Sequence, residues 1–107
     1  MVEELVKGLA KSGAIKILRA LKDDGKRLTD LVREVDLDKS TVWRRLEEFE
    51  KKLFLVYVEY NRELKAPIYK LTPFGLKILQ KLEELEQIYE EEMRKAPPRG
   101  KDFIEKG

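Results

Sequence analysis

The sequence predicts a mainly α fold with one small β-hairpin and a long C-terminal helix. Three observations predict it. Apolar residues recur at helical spacing through most of the chain. The period switches once, between Leu55 and Leu71, to a β-branched and aromatic pattern. Thr72-Pro73 then opens a helical stretch that meets no breaker before Ala96-Pro97-Pro98.

Each element can be justified in order. Val2 to Ala10 carries Val2, Leu5, Val6 and Leu9 on one side of a short helix. Ser12-Gly13 offers a new start. Ile17, Leu18 and Leu21 carry an apolar stripe to Asp23, and Asp24-Gly25 stops it. These two segments read as one bent helix or two. Thr29 is placed to cap a short helix with Leu31, Val32 and Val35 on its apolar side. Asp36-Leu37-Asp38 is a tight turn, because Asp tolerates left-handed geometry better than most non-glycine residues. A stronger helix runs from about Lys39 to Leu53, with Val42, Leu46, Phe49 and Leu53 along one narrow face.

Leu55 to Tyr60 reads as a strand and Pro67 to Leu71 as its return, with Pro67 where a missing donor is tolerable. About five residues join them. Thr as N-cap and Pro at the first helical position start the last helix, which runs to about Lys95. The segments expected are an N-terminal helix (1–11), a central domain (12–72), the long helix (73–95) and a tail (96–107) that packs through Phe103 and Ile104. No internal repeat or second domain is evident.

Composition bounds what this fold can do. The 107 residues suit one domain with a modest core. Charged residues make up 41%, with 23 basic against 21 acidic and a net charge of +2. A balanced excess rich in Lys and Glu is a habit of hyperthermophile proteins, so a thermophilic source is expected. The small net charge means that any case for nucleic acid must rest on where the charges sit. Without Cys or His, a disulfide framework, a thiol nucleophile and a Cys/His zinc site are excluded. No cofactor or metal is expected. An enzyme is not expected either: the usual general base is missing, and the adjacent carboxylates Asp23-Asp24 and Glu47-Glu48 point about 100° apart on a helix. No apolar run reaches the roughly 18 residues that span a membrane. The opening MVEELVKGLAK does not read as a signal peptide, so a cytoplasmic protein is expected.

A helix, a tight turn and a second helix form the element that presents one helix to the DNA major groove. A two-stranded ribbon directly after it is a wing. The expected fold is therefore a winged helix-turn-helix with a long C-terminal dimerisation helix. Leu28 to Leu46 (LTDLVREVDLDKSTVWRRL) resembles the helix-turn-helix of archaeal and bacterial winged-helix regulators of the arsenic-repressor and antibiotic-resistance-repressor type. Tyr69 to Gly75 (YKLTPFG) resembles the end of their wing and the start of their dimer helix. The resemblance covers residues 12 to 95 and implies a DNA-binding transcriptional regulator. Two positions depart from the pattern. Asp36 stands where Gly is frequent in the turn, and the metal-sensing Cys and His residues are absent, so no metal response is implied.

With the apolar face inward, Ser40, Trp43, Arg44, Glu47 and Lys51 point outward. The helix start carries Lys39, Ser40, Thr41, Arg44 and Arg45 toward the groove. Arg can read guanine bidentately, and Ser40 and Thr41 can bond phosphate or base edges. Arg45 points partly sideways. Trp43 either presses on the sugar-phosphate surface or covers a gap within the domain. Arg62 and Lys65 at the wing tip face a phosphate or an adjacent minor groove, and Lys51 and Lys70 are further backbone candidates. Ile78, Leu82, Leu85 and Tyr89 make a heptad seam, and Leu76 and Leu79 are expected to cover the domain body. The seam exceeds what a small domain can cover, which points to a homodimer that Leu5 and Leu9 could join. The expected partners are double-stranded DNA and a second copy, with any effector ligand unspecified. The competing readings are a protein-interaction module and a non-specific architectural DNA protein.

Overall fold

The computed structural model describes residues 1–95; the expected packing of Phe103 and Ile104 lies outside the described residues. Five helices and one hairpin follow in the order α1 (Val2–Ala10), α2 (Ala14–Ala20), α3 (Leu28–Val35), α4 (Lys39–Lys51), β1 (Val56–Asn61), β2 (Ala66–Leu71) and α5 (Pro73–Lys95). The two N-terminal segments are separate helices. Gly13 divides them with φ of +76°, a conformation that glycine adopts freely. A Cβ at Gly13 would also lie 2.2 Å from Leu37 Cδ1, so the residue allows the linker to pack on the turn before α4.

One core sits between the helices. Ile17 and Leu18 of α2, Leu31 of α3, Val42 and Phe49 of α4, Leu79 of α5, and Leu55 just before β1 are fully buried. Each such side chain contributes about 1.5–3 kcal/mol when taken from water. Leu5 and Leu9 pack against this core and hold α1 to it, while Val2 and Val6 remain exposed. Their shared apolar side is thus split lengthwise: the edge of α1 with Leu5 and Leu9 meets the domain, and the edge with Val2 and Val6 does not.

Three boundaries differ from the sequence expectation for local reasons. Arg27, not Thr29, occupies the N-cap of α3, and no side chain caps that end. Arg27 instead pairs with Asp30 at 3.0 Å, which staples the first turn from outside. The helix α4 stops at Lys51, two residues before Leu53, which packs against the core from the following turn. Phe54 then takes a positive φ of 57°, which turns the chain toward the hairpin. The hairpin register, Val56↔Leu71 to Asn61↔Ala66, leaves residues 62–65 as its loop, one shorter than expected.

The hairpin also has a third partner. Lys26 forms an isolated antiparallel bridge with Tyr69, with N–H···O distances of 3.0 and 2.8 Å. This bridge fastens the ribbon to the chain that follows α2, so the hairpin holds a fixed angle to the helices. Thr72 caps α5 as its sequence indicates: its Oγ1 accepts from Gly75 N at 2.9 Å and donates to Phe54 O at 2.8 Å. The last helix outruns the body. The Cα radius of gyration is 17.3 Å, against about 13 Å for a compact domain of 100 residues.

Candidate nucleic-acid interface

The helix pair α3–α4 is held by chemistry at its turn. Asp36 adopts the left-handed region (φ 56°, ψ 49°), and its N–H donates to Val32 O at 3.1 Å, closing α3 without glycine. Two residues on, Asp38 is the N-cap of α4. Its carboxylate accepts from Thr41 N at 3.1 Å, from Thr41 Oγ1 at 2.7 Å and from Ser40 Oγ. The Ser40 hydroxyl is the largest cause, followed by that of Thr41, in holding the Asp38 carboxyl down at about 2.

Beyond this cap, α4 has a wet face and a dry face. Val42, Leu46 and Phe49 are buried. Lys39, Ser40, Trp43, Arg44 and Lys51 are exposed, and Thr41 and Arg45 are half-buried. Arg44 lies one turn after Ser40 and reaches Thr41 Oγ1 only distantly, at 3.4 Å. Neither Arg44 nor Lys39 forms an ion pair with another described residue. Arg45 is placed differently. Its Nε donates to Ser12 O at 2.9 Å, so its guanidinium clamps the α1–α2 linker. Trp43 is 49% exposed and lines a groove of about 360 Å³ with Lys11, Arg44 and Lys51.

The acidic half of α4 is largely neutralised. Lys11 pairs with Glu48 at 2.7 Å and Lys51 with Glu47 at 3.1 Å. The second pair raises the Lys51 pKa, through the Glu47 hydrogen bond first and its charge second. Lys70 is likewise engaged with Glu59 at 2.7 Å across the hairpin. Lys51 and Lys70 are therefore paired cations, whereas Lys39, Arg44, Arg62 and Lys65 are not paired among the described residues.

The hairpin loop presents Arg62 and Lys65 on its exposed tip. Asn61 Oδ1 accepts from Leu64 N at 2.9 Å, and Lys65 takes a φ of +52°, so the tip is a closed turn. Tyr60 and Leu64 stand exposed beside these cations, at 62% and 52%. Sequence reasoning missed both, since alternation alone does not show which face of a ribbon lacks a neighbour. It also missed Asp38 as the residue that organises Ser40 and Thr41, although Asp before a Ser-Thr helix start is an N-cap signature.

The seam on α5 divides in two. Ile78 and Leu82 are partly buried against the chain's own core, while Leu85, Ile88 and Tyr89 are 58–62% exposed. Leu79 is buried as expected, but Leu76 is 37% exposed and so covers the body only in part. Arg19–Glu86 at 2.8 Å and Lys22–Glu83 at 3.0 Å strap α5 to α2 and to the turn that follows it. Between these helices Ile15, Leu82, Leu85 and Tyr89 line an apolar groove of about 410 Å³. Among the described residues no group of His, Cys, Asp and Glu could hold a metal ion, and no helix is long and apolar enough to cross a membrane.

Known proteins share this architecture. The family model for HxlR-like helix-turn-helix proteins matches residues 9–97. No curated protein matches the chain. A transcriptional regulator of the MarR family from Enterococcus faecalis V583 is 26% identical, with a TM-score of 0.79 over 88% of this chain and 86% of that one. MepR from S. aureus, solved in complex with DNA, is 17% identical, with a TM-score of 0.69 over 98% and 87%. The homodimeric winged helix-turn-helix DNA-binding domain of a Mycobacterium bovis protein is 14% identical, with a TM-score of 0.73 over 85% and 82%. The last two likenesses establish a common fold.

Proposed function

This chain belongs to the HxlR-like helix-turn-helix family of winged-helix transcriptional regulators, and from that premise we propose that it binds double-stranded DNA sequence-specifically as a homodimer. The observation that carries the proposal is the unpaired, exposed start of α4. Lys39, Ser40 and Arg44 share one wet end of a helix whose other face is locked in the core. That end enters the major groove, where Arg44 reads a guanine edge. Arg62 and Lys65 rest on the flanking backbone or minor groove. Thr41 and Arg45 support the reading helix, and Trp43 packs on the sugar-phosphate surface. Lys51 contributes weakly because Glu47 already holds it. That a protein with this fold has been solved in complex with DNA supports DNA as the partner.

The second copy docks on α5. Leu85 and Tyr89 form the centre of the interface, Ile78 and Leu82 lie at its edge, and α1 with Leu5 and Leu9 flanks it. A twofold dimer sets the two reading helices about 34–36 Å apart and selects a palindromic site. The protein acts in the cytoplasm, without a cofactor and without catalysis.

The test is a titration of labelled duplex taken from upstream of the chain's own gene, beside a scrambled duplex of equal length, at several salt concentrations. The native duplex should bind at least about a thousandfold more tightly. With about eight phosphates neutralised per dimer, log affinity should fall against log salt with a slope of about −7. Equal binding to both duplexes would identify an architectural DNA protein, and no binding to either would point to a protein-interaction module.

A further inference from the structure

The hydroxyls at the start of α4 have a fixed direction. Ser40 Oγ and Thr41 Oγ1 both contact the Asp38 carboxylate, and Thr41 N contacts it as well. An ionised carboxylate only accepts, so each hydroxyl gives its single proton to Asp38. Toward solvent, Ser40 is then left with lone pairs alone. One turn on, on the same exposed face, Arg44 carries only donors. The reading face is therefore an acceptor beside a donor fork.

Base edges in the major groove sort cleanly against such a face. Adenine N6 and cytosine N4 donate, whereas guanine O6 and N7 and thymine O4 accept. Phosphate oxygens also only accept. Ser40 could donate to a phosphate only by releasing Asp38, and the exposed Asp38 charge repels phosphates from this end of the helix. Resting on the DNA-binding reading above, we propose that Asp38 sets the code of α4. It holds Ser40 as an acceptor that reads an amine-bearing base, adenine or cytosine, next to the guanine read by Arg44. Asp38 is a positioning residue, and Ser40 is the group that touches the base.

Selection from a randomised duplex library tests this, using the full chain and its Asp38→Gly, Ser40→Ala and Arg44→Ala variants. Gly replaces Asp at a helix N-cap at little cost, so Asp38→Gly keeps α4 folded, as circular dichroism would check. It removes the oxygen to which Ser40 donates, which frees the Ser40 proton to point outward. The unaltered chain should enrich adenine or cytosine over guanine or thymine at one position by at least about fivefold, beside a guanine position. Ser40→Ala and Asp38→Gly should flatten the first position and keep the second, and Arg44→Ala should do the reverse. A preference for guanine or thymine at the Ser40-dependent position would overturn the assignment. So would a Ser40→Ala loss spread evenly over all sequences, which marks a phosphate contact, or an Asp38→Gly profile identical to that of the unaltered chain. Failure of every chain to enrich any duplex would overturn the DNA reading itself, and the assignment with it.

Discussion

At the scale of single residues, neighbouring arginines on α4 have different work. Arg44 is exposed and unpaired among the described residues, while Arg45 Nε is spent on Ser12 O at 2.9 Å. The two substitutions should therefore separate. Arg44→Ala should leave the melting temperature unchanged and weaken specific duplex binding by about 10- to 100-fold, the value of one good guanine contact. Arg45→Ala should instead lower stability by about 1 kcal/mol, because it frees a backbone carbonyl and loosens the α1–α2 linker. Thermal melts and anisotropy titrations on both variants would check the contrast. Equal effects of the two substitutions on both readouts would refute the division.

At the scale of elements, α5 approaches the start of the hairpin closely enough to leave no room for a side chain at Gly75. A Cβ at Gly75 would lie 2.0 Å from Leu55 O, which is backbone and anchored by Thr72 N at 3.0 Å. Gly75→Ala should cost about 3 kcal/mol, as overpacking against an immobile neighbour does, and a denaturation curve would measure it. Elements whose signals are local were legible in the sequence. The Thr72-Pro73 start, the Asp36 turn, the hairpin and the length of α5 all follow from residues within a few positions of each other. The outward face of α4 was legible from periodicity. What sequence did not show depends on distant partners. The Lys26–Tyr69 bridge, the Lys11–Glu48 pair and the Arg45–Ser12 clamp join residues more than thirty positions apart. The same limit explains Leu76: helical spacing puts it near Leu79, but only the packed body decides which of the two is covered.

At the scale of the whole molecule, α5 projects beyond the body and carries an exposed apolar stripe of Leu85, Ile88 and Tyr89. These side chains contribute little to the fold of one chain. The double substitution Leu85→Glu with Tyr89→Glu should convert a dimer to a monomer in sedimentation while the helical content of the chain persists. Its salt slope on duplex should fall to about half of −7, because each complex then releases half the counterions. A double variant that stays dimeric would place the interface elsewhere.

The most direct test of two reading helices carried on one dimer is a hydroxyl-radical footprint of the selected duplex. Two protected patches on one face, centred about 10–10.5 base pairs apart and related by a twofold axis, are predicted, with wing protection outside each. A single protected patch, or uniform protection with no register, would contradict the account.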